Sequence, residues 1–123
     1  MPTVAAGAAG VLTGTYSYKF SFAQMSGSIV FSESPIFGPT ANVTVASQKI
    51  GLSAIPVSTD ASCNARRLYR TASNGSVYFL VDTIGDNATT TYTDNTADAG
   101  LATTAAPTDL GNPAGTTGAT NLM

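Results

Sequence analysis

Tyr16, Tyr18, Phe20 and Phe22 alternate with Thr15, Ser17, Lys19 and Ser21. A period of two marks a β-strand with an aromatic face buried and a polar face turned outward. The run SIVF at 28–31 follows the turn residues Ser26 and Gly27 and reads as the hairpin partner of that strand. ANVTVA at 41–46 predicts another strand, with Val43 and Val45 on one face. QKIGLSAI at 48–55 predicts a further one, with Ile50, Leu52 and Ala54 in register. Then ARRLYRT runs into ASNGS, and VYFLVDT runs out again. Asn74-Gly75 is a preferred pair for a tight turn with positive φ. TTTYTD at 89–94 is rich in β-branched residues and closes the series.

No segment carries a helical period. Pro35, Gly38, Pro39, Gly51, Pro56 and Gly85 punctuate the chain too often for one. About seven short strands separated by turn signals predict an all-β fold, an antiparallel β-sandwich. Residues 1–10 read as an N-terminal segment, 11–98 as the sandwich, and 99–123 as an extended C-terminal arm. The arm has little apolar payload and no period, so it is expected to order only against a partner.

At 123 residues the chain is the size of one domain, and 43% hydrophobic residues suffice for a core. Charged residues make up only 10%, against roughly 25% in an average soluble protein. Thr, Ser, Ala, Gly and Asn cover the surface instead, as in proteins that live packed against others. The formal net charge is −2 and the pI about 4.5. Bulk attraction to nucleic acid or to an anionic membrane is therefore not expected. No stretch approaches the roughly 18 to 20 apolar residues that span a bilayer. The apolar N-terminus lacks a basic region and is broken by Gly7, Gly10 and Gly14, so it is not read as a signal peptide.

There is no His, which removes the usual general base and the commonest metal ligand. The single Cys63 has no partner for an internal disulfide. Six aspartates are present, and Asp94, Asn95 and Asp98 are the densest group. They are too sparse for a calcium loop and are read as turn caps. The only Glu, Glu33, sits in the turn-rich SESP. No catalytic residue, cofactor or metal site is expected. The sequons at Asn42, Asn74 and Asn87 are read as chance matches in a Thr-rich chain.

Three of the five basic residues, Arg66, Arg67 and Arg70, fall in one run. On a strand, Arg66 and Arg70 share a face with Leu68, while Arg67 and Tyr69 point the other way. The pleat thus splits the charges, which argues against a nucleic-acid stripe. Pairing with acids such as Asp82 or Asp94 is the simpler expectation. Arg67, Tyr69, Arg70 and Tyr78 are the candidates for an interface, the two tyrosines as exposed contact residues. Phe79 and Tyr92 are placed in the core with the Tyr16–Phe22 aromatics.

GTYSYKFSFAQMSGS resembles the late strand and following turn of fibronectin type III modules. RRLYRTASNGSVYFLVDTIGDNATTTYTDN is similar to the middle strands of bacterial and phage fibronectin-type-III-like domains, and IGLSAIP to an early strand, with Ala54 in place of an aromatic. The strand that comes late in that family comes first here, as in a circularly shifted module. The resemblance covers about residues 11–98 and carries no catalytic residue. It implies a small Ig-like module of a tailed-phage virion protein. A non-enzymatic capsid decoration or head-associated protein is the first expectation. A tail, baseplate or fibre component that helps adhesion to host glycans is the second, and a carbohydrate-binding module the third. The partners implied are other virion proteins, namely the major capsid protein or tail proteins, or further copies of the chain.

Overall fold

The computed structural model describes residues 2–27, 29–34 and 36–101. Among the described residues there are seven strands: β1 (Thr3–Tyr16), β2 (Tyr18–Ser26), β3 (Ile29–Glu33), β4 (Val43–Ser53), β5 (Ala65–Thr71), β6 (Tyr78–Ile84) and β7 (Tyr92–Asp94). A short 3₁₀ turn follows at Asp98–Gly100. They form two antiparallel sheets, one ordered β1-β4-β7 and the other β3-β2-β5-β6. The expected antiparallel all-β sandwich is the observed fold. The arm expected from residue 99 lies, from residue 102 onward, outside the described residues.

The core forms where the two sheets face each other. Tyr18, Phe20 and Phe22 of β2 and Leu68 of β5 meet Leu12 and Tyr16 of β1, and Val43, Val45, Ile50 and Leu52 of β4. Phe37 continues the β2 edge past β3, exchanging backbone hydrogen bonds of 3.0 and 2.8 Å with Phe20 and stacking on its ring at 5.2 Å. Cys63 is buried, its thiol donating to the Ala65 carbonyl. Phe79 and Tyr92 are only partly buried, because β6 and β7 are edge strands.

Two strands are longer than their sequence suggests. Residues 3–10, set apart above as an N-terminal segment, are the first half of β1 and pair with β4. Ala and Gly carry no apolar alternation, so the strand is invisible to a period-two test. The two apolar runs at 41–46 and 48–55 are one strand, β4. Its inward residues change parity, from Val43 and Val45 to Ile50 and Leu52. With a side-chain period of two, such a change needs one extra residue. Ser47, at φ 52°, is in the left-handed region at that point, and its N–H donates to Thr13 Oγ1. Ala54 does not join the core. It is exposed at φ 52°, and the turn it makes buries Ile55 instead. β7 is also shorter than TTTYTD suggests: Thr89 belongs to a turn that Asp86 holds, and Thr90 accepts from the Ile55 N–H.

Gly14 has φ 128°, and a Cβ built there would lie 1.8 Å from Ser73 Oγ. That hydroxyl cannot move away cheaply, because it donates to the Thr13 carbonyl. Gly14→Ala therefore combines backbone strain with a clash. It is expected to cost about 2 kcal/mol or more, read as a lowered urea midpoint at unchanged slope. By contrast, Gly27→Ala meets no atom within 4 Å, and only its φ of 59° opposes it.

Candidate functional site: two polar networks on the four-stranded sheet

The three arginines of β5 are all held by acids of the same chain, on the two faces that the pleat assigns them. On the core face, Arg70 is fully buried and every group of its guanidinium has a partner. Nε donates to the Thr71 carbonyl. Nη1 donates to Asp94 Oδ2 at 2.8 Å and to the Thr96 carbonyl, and Nη2 to Asp98 Oδ1 at 2.8 Å. Its plane lies 4.7 Å from the Tyr16 ring centroid, within cation–π range. Tyr18 Oη donates to Asp94 Oδ2 at 2.6 Å, and Asp98 Oδ2 accepts from the Ser73 N–H. This network ties β2, β5, β7 and the turn after β7 into one unit. Asp94 and Asp98, the acids considered for calcium, are the carboxylates that serve Arg70.

At the other end of β5, Arg66 donates to the carbonyls of Pro56 and Asp86 and pairs with Asp86 Oδ1 at 3.0 Å. The N–H groups of Thr89 and Ala88, with the Thr89 hydroxyl, hold the Asp86 carboxyl well below the usual carboxylate range, and Arg66 adds to this. Asp82, the other acid expected to pair with an arginine, accepts instead from the Tyr92 hydroxyl.

The outer face of this sheet carries a second network. Glu33 is buried, and its Oε2 accepts from the hydroxyls of Tyr69, at 2.5 Å, and Ser21. Arg67 Nη1 donates to Glu33 Oε1 at 3.2 Å. The polar face of β2 is thus not simply open to water: Ser21 is fully buried, and Ser17, just before the strand, nearly so. The Ser21 hydroxyl is covered because β3 brings a carboxylate and β5 a phenol over it. A carboxylate in a turn-rich tetrapeptide gives no sign of this in sequence; only the register Ala23↔Glu33 places it there.

Of the four interface candidates, Tyr69 and Arg70 are fully buried within the chain, so neither is an exposed contact residue. Tyr69 is internal because Glu33 of the same sheet matches its hydroxyl, and Arg70 because Asp94 of the facing sheet matches its guanidinium. Arg67 and Tyr78 keep part of their surface. Tyr78 shares a 2.6 Å hydroxyl hydrogen bond with Ser17, and Lys19 Nζ sits 4.5 Å from its ring centroid. Lys19, not singled out from sequence, thus joins Arg67 and Tyr78 on the outer face. At the edge of the same sheet, Ile29 and Phe31 of β3 are 61% and 56% exposed. A cleft of about 280 Å³ beside the β5–β6 turn is lined by Thr15, Ser17, Asn42, Thr71 and Asn74, which offer hydroxyl and amide groups.

Burial, and then the adjacent carboxylates Asp94 and Glu33, push the phenols of Tyr18 and Tyr69 far above their ordinary value; Tyr92, beside Asp82, shifts the same way. The unfolded chain ionises these phenols near pH 10, while the folded chain resists. Their contribution is fully present below about pH 10 and is lost as pH rises beyond it. Urea midpoints are expected to fall steeply above pH 10, and less steeply in Tyr18→Phe. A flat profile to pH 11.5 would show that these phenols reach water.

The site and fold together define an antiparallel all-β sandwich whose charged groups are largely neutralised within the chain. No protein-family model, curated protein or solved structure matches the chain.

Proposed function

We propose that this chain is a non-enzymatic structural protein of a tailed-phage virion, a capsid decoration or head-associated protein that docks on a larger lattice. The observation that carries the reading is the distribution of polarity over the surface. Arg66, Arg67 and Arg70 are spent on Glu33, Asp86, Asp94 and Asp98. Meanwhile Ile29 and Phe31 stand exposed on an edge strand. A sparsely charged surface with exposed apolar side chains suits burial against other proteins. The resemblance of residues 11–98 to phage Ig-like modules supplies the context. The aromatic row Tyr16–Phe22 lies in the core, so it does not form the sugar platform that a carbohydrate-binding module would use.

Quantitative mass spectrometry of purified virions, with localisation by electron microscopy, tests this. Copy number in fixed ratio to the major capsid protein, with density on the head, is expected. Low copy number confined to the tail would favour a tail or fibre role. Absence from particles would remove both. Phe31→Asp should shift stability by no more than about 0.5 kcal/mol, as an exposed substitution, yet lower the copy number. Unchanged incorporation would exclude the β3 edge as the docking face.

A further inference from the structure

We propose that the free edge of β1 pairs with the same edge of a second copy of this chain. The two strands would run antiparallel about a two-fold axis and join two three-stranded sheets into one of six strands. An unpaired sheet edge offers rows of N–H and C=O groups to any strand that can approach, and folded proteins normally blunt such edges with short length, charge, proline or bulges. The sandwich has four edges, and three are blunted. β7 has only three residues. β3 has five and faces a register shift in its pairing with β2. β6 carries the exposed Asp82 and a register shift against β5. β1 also shifts register, between Ala6 and Thr13, but it is 14 residues long, TVAAGAAGVLTGTY, with no charged residue and no proline.

Part of that edge is already served. Asn74 donates its N–H to the Thr15 carbonyl and accepts from the Thr15 N–H through Oδ1, and Ser73 Oγ donates to the Thr13 carbonyl. The register with β4 shifts between Ala6 and Thr13, and the Val11 N–H is taken by Asn95 Oδ1. The stretch left open is Thr3–Ala9, apart from the Gly7 carbonyl, which accepts from Gln48 Nε2. It pairs with β4 on one side only, and its register there is regular from Thr3↔Ser53 to Ala6↔Ile50.

Charge decides the occupant. An incoming strand of ordinary composition would bring charges for which β1 has no counterpart. A second copy brings an equally uncharged edge, so no repulsion opposes it and no charge is left unpaired. Two-fold symmetry makes the contact self-complementary, each residue meeting its partner reciprocally. Ala5, Ala6, Ala8 and Ala9 are exposed. Their small side chains let two backbones reach the inter-strand spacing of about 4.8 Å without crowding. One short strand per copy makes a small interface beside the roughly 1,200 Å² of a stable complex. The pairing is therefore weak in free solution and strengthened where copies are held side by side.

Sedimentation velocity of the full chain, at concentrations up to about 1 mM, is the test. A monomer–dimer equilibrium is expected. Ala5→Lys with Ala8→Lys should raise the dissociation constant at least about tenfold, since like charges would then face each other across the strands. Circular dichroism should be unchanged. Independently of any variant, amide exchange in the wild-type chain should slow at residues 5–9 as protein concentration rises. A chain that stays monomeric, with no such protection, overturns the proposal. So does a dimer that the lysines leave intact. A dimer abolished by Phe31→Asp would place the contact on β3. One abolished by removing residues 102–123 would make that segment the occupant. Either result would also overturn pairing between the two β1 edges.

Discussion

Replacing Arg70 with methionine is expected to cost about 3–5 kcal/mol, the range for removing one partner of a buried ion pair. The cost comes mainly from what remains. Asp94 has no exposed surface, and without Arg70 its charge keeps only the Tyr18 hydroxyl and the Thr96 N–H. Asp98 would lose its ion pair as well and be left to the Ser73 N–H. Arg66→Met is expected to cost less, because its partner Asp86 is half exposed and water can solvate the freed carboxylate. The two variants share a strand and a residue type, so the difference isolates burial. The pair itself need not be strongly stabilising. Tyr18→Phe, Arg70→Met and Asp94→Leu combined remove the fully buried pair and the hydroxyl that served it, leaving only the part-exposed Asp98 charge, and should regain much of the loss. Urea denaturation of the three proteins decides the matter. A loss below about 1 kcal/mol for Arg70→Met would mean that water reaches the site. A triple variant no better than the single one would trace the damage to packing.

The face that each arginine of β5 takes was legible because alternation is geometry: Leu68 marks the core side, and Arg66 and Arg70 follow it. Asp94 as a partner was legible too, since it ends a strand-like run. Three things were not. The first half of β1 was hidden because Ala and Gly have too little hydrophobic contrast to show a period. The continuity of β4 was hidden because a left-handed Ser47 reverses its inward parity, which in sequence looks like two strands. The outer network was hidden because Glu33 meets Ser21, Arg67 and Tyr69 only through the pairing of β3 with β2 and β2 with β5. Tyr69 looked like a surface residue for the same reason. Its side of the strand was read correctly, but the carboxylate that lets a phenol be buried there comes from 36 positions away.

Phe20→Ala is expected to cost about 3–5 kcal/mol, the usual toll for emptying a buried aromatic position. Phe20 is 4% exposed and sits at the centre of a ring cluster, edge-on to Phe22 at 5.7 Å and stacked on Phe37 at 5.2 Å. Those rings belong to β2 itself and to the segment that extends its edge. Collapse into the void would have to move Phe37, whose N–H and C=O are both bonded to the backbone of residue 20. The cavity is therefore expected to persist, which puts the cost toward the upper end of that range. Phe79→Ala supplies the comparison. It removes the same atoms from a partly buried position on edge strand β6, where solvent already meets the ring, and should cost less than half as much. Domains of this size hold roughly 5–15 kcal/mol in total, so Phe20→Ala should shift the urea midpoint visibly or unfold the chain at ambient temperature. Equal losses for the two variants would mean that β6 is packed more deeply than its edge position implies. A loss below about 1 kcal/mol for Phe20→Ala would show that β2 does not present Tyr18, Phe20 and Phe22 to the core.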